Sequence, residues 1–572
     1  VKLHTTDSDG RIRKLGRAVL DGKGRWSLKA SFPKARLWSP ESPHLYHLTA
    51  QLDDERGRVL DVTRVRFGFR EIWTEGAFFF LNGVRRNLLS TSTWPVTARI
   101  PKAEIRRRLL AVKASNAIAF RLHIGPWQSE FYEIADEIGL MLIGEAPNYT
   151  DGSGIYAYKD PRFWRNYESV IKGLIKDKIN HPSLIMWSLG NETLFMGNLS
   201  RDKDLPKKMG DLARFARMVD ATRLYYYSAD HDPDGAYDMI GLHYPHELPN
   251  QHAYPVICDW LGTEKQTEAA GGMLGRTGSS FKWERKKPLY IGEYLWVPHG
   301  DYSPGSVYFG PQAYLNKSHY NSEARVNSWF DQTVAYRRAG VPGLSPWTAF
   351  GFGVATENVR GMAAQKSFYK PVAAFLRRKS LRFYSGTKQN LTYDVFNDST
   401  VARQLVLDLS LDGKPAIKAA LRLNPGETQP VTVQIDVPLV ATKTVISLSA
   451  KLLSGGVPLD LQSADLEAYP RSDLKAPQGF HLVSIGSQAA MQGLTGKDPL
   501  KTIALIAHGL LNARKVEKAG GLPVIGGSSF DASVLKAWVE RGGTAVLLEQ
   551  DTLAPLGLPL QLMDHLSTMA FG

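Results

Sequence analysis

The chain has 572 residues, more than a single hydrophobic core organises, so several domains are expected. Apolar residues at 43% and charged residues at 22% exclude a disordered or fibrous protein. The net charge of +14 favours anionic partners, yet the basic clusters (Arg106-Arg107-Arg108, Lys286-Lys287, Arg377-Arg378-Lys379) are scattered, which argues against a nucleic-acid groove.

Residues 1–72 alternate with the period of two that marks strands, as in Leu45-Tyr-His-Leu-Thr-Ala-Gln-Leu52, with turns at Asp21-Gly22 and Asp54-Glu-Arg-Gly57. They predict an immunoglobulin-like β-sandwich, incomplete at its N-terminal edge. A hairpin turning on Asn82-Gly83 follows. Residues 73–378 then alternate strands and helices, the pattern of a parallel sheet. Strands are expected at 87–91, 117–123, 140–144, 184–189, 224–228, 239–243, 289–292 and 343–347. Helices are expected at 102–114, 129–138, 162–179, 207–219 and 323–338, with a last one at 371–378. Eight strands over this length predict a (β/α)8 TIM barrel, and the absence of a glycine-rich turn after the first strand argues against a doubly wound sheet. Residues 379–475 return to alternation and predict a second sandwich, while 476–572 read as a compact C-terminal α/β domain.

One cysteine, Cys258, excludes an intramolecular disulfide and a cysteine-based zinc cluster. The run Asp230-His-Asp-Pro-Asp-Gly235 imitates the start of a calcium loop, but Gly241 stands where the bidentate glutamate belongs, so no metal is expected. No apolar run is long enough to span a membrane. The start at Val1 and the end at Phe571-Gly572 suggest a fragment, and a secreted or periplasmic address is expected over a cytoplasmic one. A homo-oligomer is left open.

Two stretches carry chemistry. Leu184-Ile-Met-Trp-Ser-Leu-Gly-Asn-Glu192 is an apolar strand ending in an amide and a carboxylate, and Pro288-Leu-Tyr-Ile-Gly-Glu293 repeats the design. Barrels display reactive groups at the C-terminal ends of their strands, and two carboxylates on separate strand ends are what glycosidic bond cleavage needs. Spacing alone settles neither the gap between them nor the order of their roles.

These two motifs resemble the acid/base and nucleophile motifs of glycoside hydrolase family 2, the family of β-galactosidases, β-glucuronidases and β-mannosidases. Phe120-Arg-Leu-His-Ile-Gly-Pro126 and Leu37-Trp-Ser-Pro-Glu-Ser-Pro-His-Leu-Tyr46 are similar to further segments of the same family, so the likeness spans about residues 1–378. It implies Glu192 as general acid/base, Glu293 as nucleophile, and Asn191 as a partner of the sugar 2-hydroxyl. It also implies Arg121 beside the nucleophile, Tyr244 hydrogen-bonded to it, His123 lining the sugar site and Trp347 as its apolar floor. Ionised Glu293 should then raise the pKa of Glu192. The implied activity is a retaining exo-β-glycosidase without a cofactor, β-galactosidase-like by its commonest relatives. A hydrolase of sulfated or uronic polysaccharide, exo- or endo-acting, and a catalytically silent carbohydrate-binding protein are the rivals. The specificity shell departs from the family: the first strand reads Asn87-Leu-Leu-Ser-Thr-Ser-Thr-Trp-Pro95, without its histidine-rich stretch. The last domain resembles the flavodoxin-like or amidotransferase-like modules of some glycosidases, although it lacks the cysteine an amidotransferase needs.

Overall fold

A computed structural model describes residues 1–96, 98–148, 157–194, 203–243, 283–294, 308–350, 359–377 and 381–470, and short pieces between 481 and 547. The first region is an antiparallel sheet of β1 (Lys2–Asp7), β2 (Ile12–Arg17), β3 (Tyr46–Asp53) and β4 (Val59–Phe67), in the order β2-β1-β3-β4. A three-stranded meander of β5 (Ile72–Glu75), β6 (Phe78–Leu81) and β7 (Val84–Arg86) leads into the barrel. Its second turn is Asn82-Gly83, both at positive φ, the geometry a tight hairpin needs.

Eight parallel strands follow: β8 (Leu88–Thr93), β9 (Ala119–Leu122), β10 (Met141–Glu145), β11 (Leu184–Asn191), β12 (Leu224–Ser228), β13 (Ile240–His243), β14 (Leu289–Tyr294) and β15 (Gly343–Pro346). All but one of their residues are fully buried, as expected where helices cover one face and the barrel interior the other. The first strand pairs with the eighth, so the sheet curls into a barrel rather than staying open. Its remaining seam lies between β12 and β13. Asp238 closes it: its amide donates to the Tyr225 carbonyl (3.0 Å) and its Oδ2 accepts from the Tyr225 amide (2.7 Å).

Among the described residues the surrounding helices are α1 (Lys102–Ala114), α2 (Ser129–Ile138), α3 (Pro161–Lys178), α4 (Leu205–Val219), α5 (Lys317–Arg338) and α6 (Val359–Phe368). In α1, Ile105, Arg108, Leu109 and Val112 are buried at spacings of three and four, the stripe that lets a helix lie on a sheet. Asp160 starts α3 by accepting from the Arg162 amide, with Pro161 at the first helical position.

The helix expected at 371–378 is instead β16 (Val372–Leu376), paired antiparallel with β18 (Lys388–Asn397). Val372, Ala373, Ala374 and Phe375 are all buried, and a segment covered on both faces gives a run without alternation that periodicity does not separate from a helix. β16 and β18 join β21 (Glu427–Asp436) in one sheet of the second sandwich. The facing sheet has the order β17-β23-β22-β19-β20, from β17 (Arg382–Tyr384), β19 (Arg403–Leu411), β20 (Lys414–Leu423), β22 (Thr444–Ser454) and β23 (Val457–Tyr469). Leu391, Val395, Leu407, Leu409 and Leu448 are among the buried residues between them. Three further parallel strands, β24 (His481–Ile485), β25 (Thr502–Ile506) and β26 (Thr544–Leu547), are described in the last region.

The barrel is pinned to both neighbours by buried polar contacts. Trp38 donates its indole N–H to the Asp136 carbonyl of α2 (2.9 Å), and Arg70 donates to Leu184 O (2.9 Å) at the start of β11. On the other side, Arg337 of α5 meets Asp398 at 2.8 Å, both side chains almost fully buried, while Asn87 donates to the other Asp398 oxygen at 2.6 Å. Asp398→Ala leaves a buried guanidinium with carbonyl partners but no carboxylate, so an unfolding free energy about 3 kcal/mol lower is expected in urea titration. A change below about 0.5 kcal/mol would mean that water reaches Arg337.

Candidate active site

The candidate site stands at the C-terminal mouth of the barrel. Glu192 follows β11, and Glu293 lies in β14 with Tyr294 after it. Both are buried, and one oxygen from each carboxyl group lies within 4.8 Å of the other and of Nδ1 of His243. The strand sequences explain the placement. Gly190 does not break β11, as its residue type suggests; the strand runs on to Asn191. A Cβ there would come 2.8 Å from the Tyr227 ring, so only glycine lets β11 pass so close to β12. Glu192 itself sits at φ +53°, a left-handed conformation unfavourable for a residue that carries a Cβ. Three hydrogen bonds offset it: the Glu192 amide donates to Ser228 O (2.9 Å), and the Thr193 and Leu194 amides donate to the Asp230 carboxylate (2.7 and 2.8 Å).

Arg121 is the hub. Fully buried on β9, it donates from Nη1 to Glu293 Oε1 (2.7 Å), from Nη2 to Asn191 Oδ1 (2.6 Å), and from Nε and Nη2 to Glu145 Oε2 (3.1 and 2.8 Å). Its rigid fork suits several oxygen acceptors at once. Burial alone would lower its pKa, but Glu145 and Glu293 outweigh that and hold it well above its ordinary value. For Glu145 burial pushes upward, and Arg121 with His123 overcomes it, leaving the carboxyl at about 2.

Glu192 is the opposite case. Burial first, then the neighbouring Glu293, raise its pKa well above the usual carboxylate range, with Arg121 opposing. The like charge expected from the sequence is thus present, as the second cause after burial. The arrangement offers a protonated carboxyl group facing a carboxylate held by a guanidinium.

The structure brings Glu192, Glu293, Asn191, Arg121, His123 and Trp347 together. His123 is turned inward: its Nδ1 is 2.9 Å from Glu145 Oε1 and 3.1 Å from Arg121 Nη2. The Trp347 ring packs edge-on to His123 (5.0 Å between centroids) and to Trp94 (4.9 Å). Tyr244 lies outside the described residues, as does Cys258.

Sequence reasoning missed His243, the last residue of β13, and Trp94, just beyond β8. The signal for His243 was its place: a polar residue at the mouth end of a buried strand, as with Glu192 and Glu293. Asp230, Asp232 and Asp234 do not converge on a cation. Asp230 serves the turn after Glu192, Asp232 accepts from the Tyr237 amide and Lys287, and Asp234 pairs with Arg214.

Beside the site a groove of ≈ 460 Å³ is lined by Pro95, Val96, Arg99, Pro126, Trp127 and Glu130, among others. Pro95 and Ile124 in its lining follow directly on Trp94 and His123.

With this geometry the sequence can be placed among known proteins. Residues 70–358 match the glycosyl hydrolases family 2 TIM barrel domain, and residues 2–70 match a second glycosyl hydrolases family 2 domain. The chain therefore belongs to glycoside hydrolase family 2. It is 27% identical over 300 residues to a beta-galactosidase of Vibrio cholerae, covering 49% of this chain and 29% of that protein. A beta-galactosidase of Halalkalibacterium halodurans is 27% identical over 321 residues, 52% of this chain and 29% of that protein. The chain thus spans under a third of these relatives' length. A solved beta-D-mannosidase from Dictyoglomus thermophilum shares the fold at TM-score 0.53 and 16% identity, over 81% of this chain and 62% of that one.

Proposed function

We propose that this chain is a retaining exo-β-glycosidase, β-galactosidase-like, acting by double displacement. The observation that carries the reading is the buried pair Glu192 and Glu293, with carboxyl oxygens within 4.8 Å, one group kept protonated and the other ion-paired. A separation of about 5 Å suits direct attack, whereas inversion needs about 6.5 Å or more for an intervening water. In the first step Glu293 attacks the anomeric carbon as Glu192 gives its proton to the leaving oxygen. In the second, water enters, Glu192 takes its proton, and the bond to Glu293 breaks. Arg121 holds Glu293 in place. It also takes the oxygen of Asn191, so the amide N–H groups are what Asn191 offers to a sugar 2-hydroxyl. Trp347 and Trp94 supply the apolar surface beside the ring. Galactose is put first because most of the matched curated relatives are named beta-galactosidase, with two putative beta-glucuronidases of Formosa agariphila beside them.

A panel of aryl β-galactoside, β-glucuronide, β-mannoside and β-glucosaminide tests the reading. Turnover of at least one, lost in Glu293→Gln, supports it; no turnover of any would favour a carbohydrate-binding protein. The groove beside Trp94 favours a second reading, endo-action on a longer chain, to which the charge of +14 adds an anionic polysaccharide. Product sizing separates the two: exo-action releases monosaccharide, endo-action a ladder.

The raised pKa of Glu192 fixes the pH dependence. The acid must be protonated, so the alkaline limb of kcat/KM lies above the ordinary carboxylate range, where pH rises through the raised value. A pH profile with an unactivated aryl glycoside checks this, and an alkaline limb near pH 4–5, where an ordinary glutamate titrates (about 4.3), would contradict it.

A further inference from the structure

His243 is fully buried between the two carboxyl groups. Its Nδ1 lies 2.9 Å from Glu192 Oε1 and 3.7 Å from Glu293 Oε1, and its Nε2 lies 2.9 Å from Ser228 Oγ. The placement is built into the backbone. A register shift between Leu242 and His243 sets His243 opposite Glu293, and a Cβ on Gly292 would come 2.9 Å from Nε2 and 3.1 Å from the serine oxygen. The charged and titratable groups acting on this ring are Glu192 after the fourth strand and Glu293 on the seventh, both close to Nδ1, with Arg121 and His123 on the second strand and its end; Glu145 and Asp230 act on Glu192 beside it. Burial, Arg121 and His123 keep the imidazole neutral, so it carries one N–H.

Which nitrogen holds that hydrogen decides where the acid's own proton sits. With hydrogen on Nε2, the bare Nδ1 would draw the Glu192 proton onto Oε1, away from the substrate, and would turn its lone pair toward the Glu293 carboxylate. With hydrogen on Nδ1, the ring donates to Glu192 Oε1, and the carboxyl proton is left to Oε2. The Ser228 hydroxyl then donates to Nε2 and holds that tautomer.

Resting on the double-displacement reading above, we propose that His243 is a positioning residue that, fixed by Ser228, keeps the transferable proton on Oε2 of Glu192. No proton passes through the ring. When Glu192 has given its proton away, the same N–H stabilises the carboxylate that remains, and it stays in place while Oε2 takes a proton from water.

Leaving groups separate this role from a structural one. A dinitrophenyl glycoside departs without protonation, whereas a phenyl or alkyl glycoside needs the acid. His243→Leu fills the space without a donor, and His243→Asn keeps an N–H near the Nδ1 position. For the sugar found active in the panel, His243→Leu should lower kcat/KM for the phenyl glycoside about 10²-fold, within the range general acid catalysis supplies. For the dinitrophenyl glycoside kcat/KM should change less than about 3-fold. Loss of a hydrogen bond to the carboxylate should also move the alkaline limb upward, and His243→Asn should recover both properties in part. Equal losses on both substrates with an unmoved limb, or no loss on either, would overturn the proposal while leaving the glycosidase reading standing. A parent chain inactive on every aryl glycoside fails the underlying reading instead. Thermal unfolding of both variants shows whether the fold survives, and if His243→Leu does not fold, Ser228→Ala gives the same comparison.

Discussion

On the proposed mechanism, Glu293→Gln should lower turnover of any active aryl β-glycoside about 10⁴-fold or more, since it removes the group that would form the covalent intermediate. The fold should survive. The amide oxygen of a glutamine can still accept from Arg121 Nη1, and Glu145 still balances the guanidinium. Glu192→Gln makes the informative contrast. It removes the acid but not the nucleophile, so an activated dinitrophenyl glycoside should still react in the first step while an unactivated one does not. Steady-state rates with both substrates check the pair. Equal residual activity in Glu293→Gln and the parent chain would remove Glu293 from the chemistry.

Arg121→Met should have the largest effect on stability. It leaves Glu293 without its guanidinium and Glu145 with only His123 beside it, and breaking one buried ion pair costs about 3–5 kcal/mol. The sign with pH follows from Glu145. Its folded pKa of about 2 lies below the ordinary value, so its contribution is present above the unfolded pKa and lost as pH falls toward 2. In Arg121→Met burial is no longer opposed by the guanidinium, Glu145 takes up its proton at higher pH, and the loss of stability is greatest near neutrality. Denaturant titrations at pH 4 and pH 7 measure this. Arg121→Lys should not restore activity, because one ammonium group cannot replace a fork shared by Glu145, Glu293 and Asn191.

The barrel was legible because its strands are buried on both faces and its helices carry a stripe. The expected range of α1, 102–114, matches the helix Lys102–Ala114, whose buried Ile105, Leu109 and Val112 keep the helical spacing. The same burial misled at 371–378, where Val372 to Phe375 have no alternation to betray a strand. In the site, strand ends pointed to Glu192 and Glu293 because an acid after an apolar run is conspicuous. His243 was hidden by its neighbour: Tyr244 drew attention through the family likeness, while the role of the histidine depends on contacts with Ser228 and Glu192, 15 and 51 residues away. Long-range contacts of that kind leave no mark on local spacing. The contribution of burial to Glu192 was equally hidden, since it comes from strands far apart in the chain.

The measurement that tests the central claim most directly is the anomeric configuration of the first-formed product. Proton NMR of the reaction with an aryl β-glycoside, recorded before mutarotation, should show the β-anomer appearing first if Glu293 attacks the sugar and water later displaces it. The α-anomer appearing first would mean a single displacement by water, and would contradict a nucleophilic Glu293 facing Glu192 across the ring.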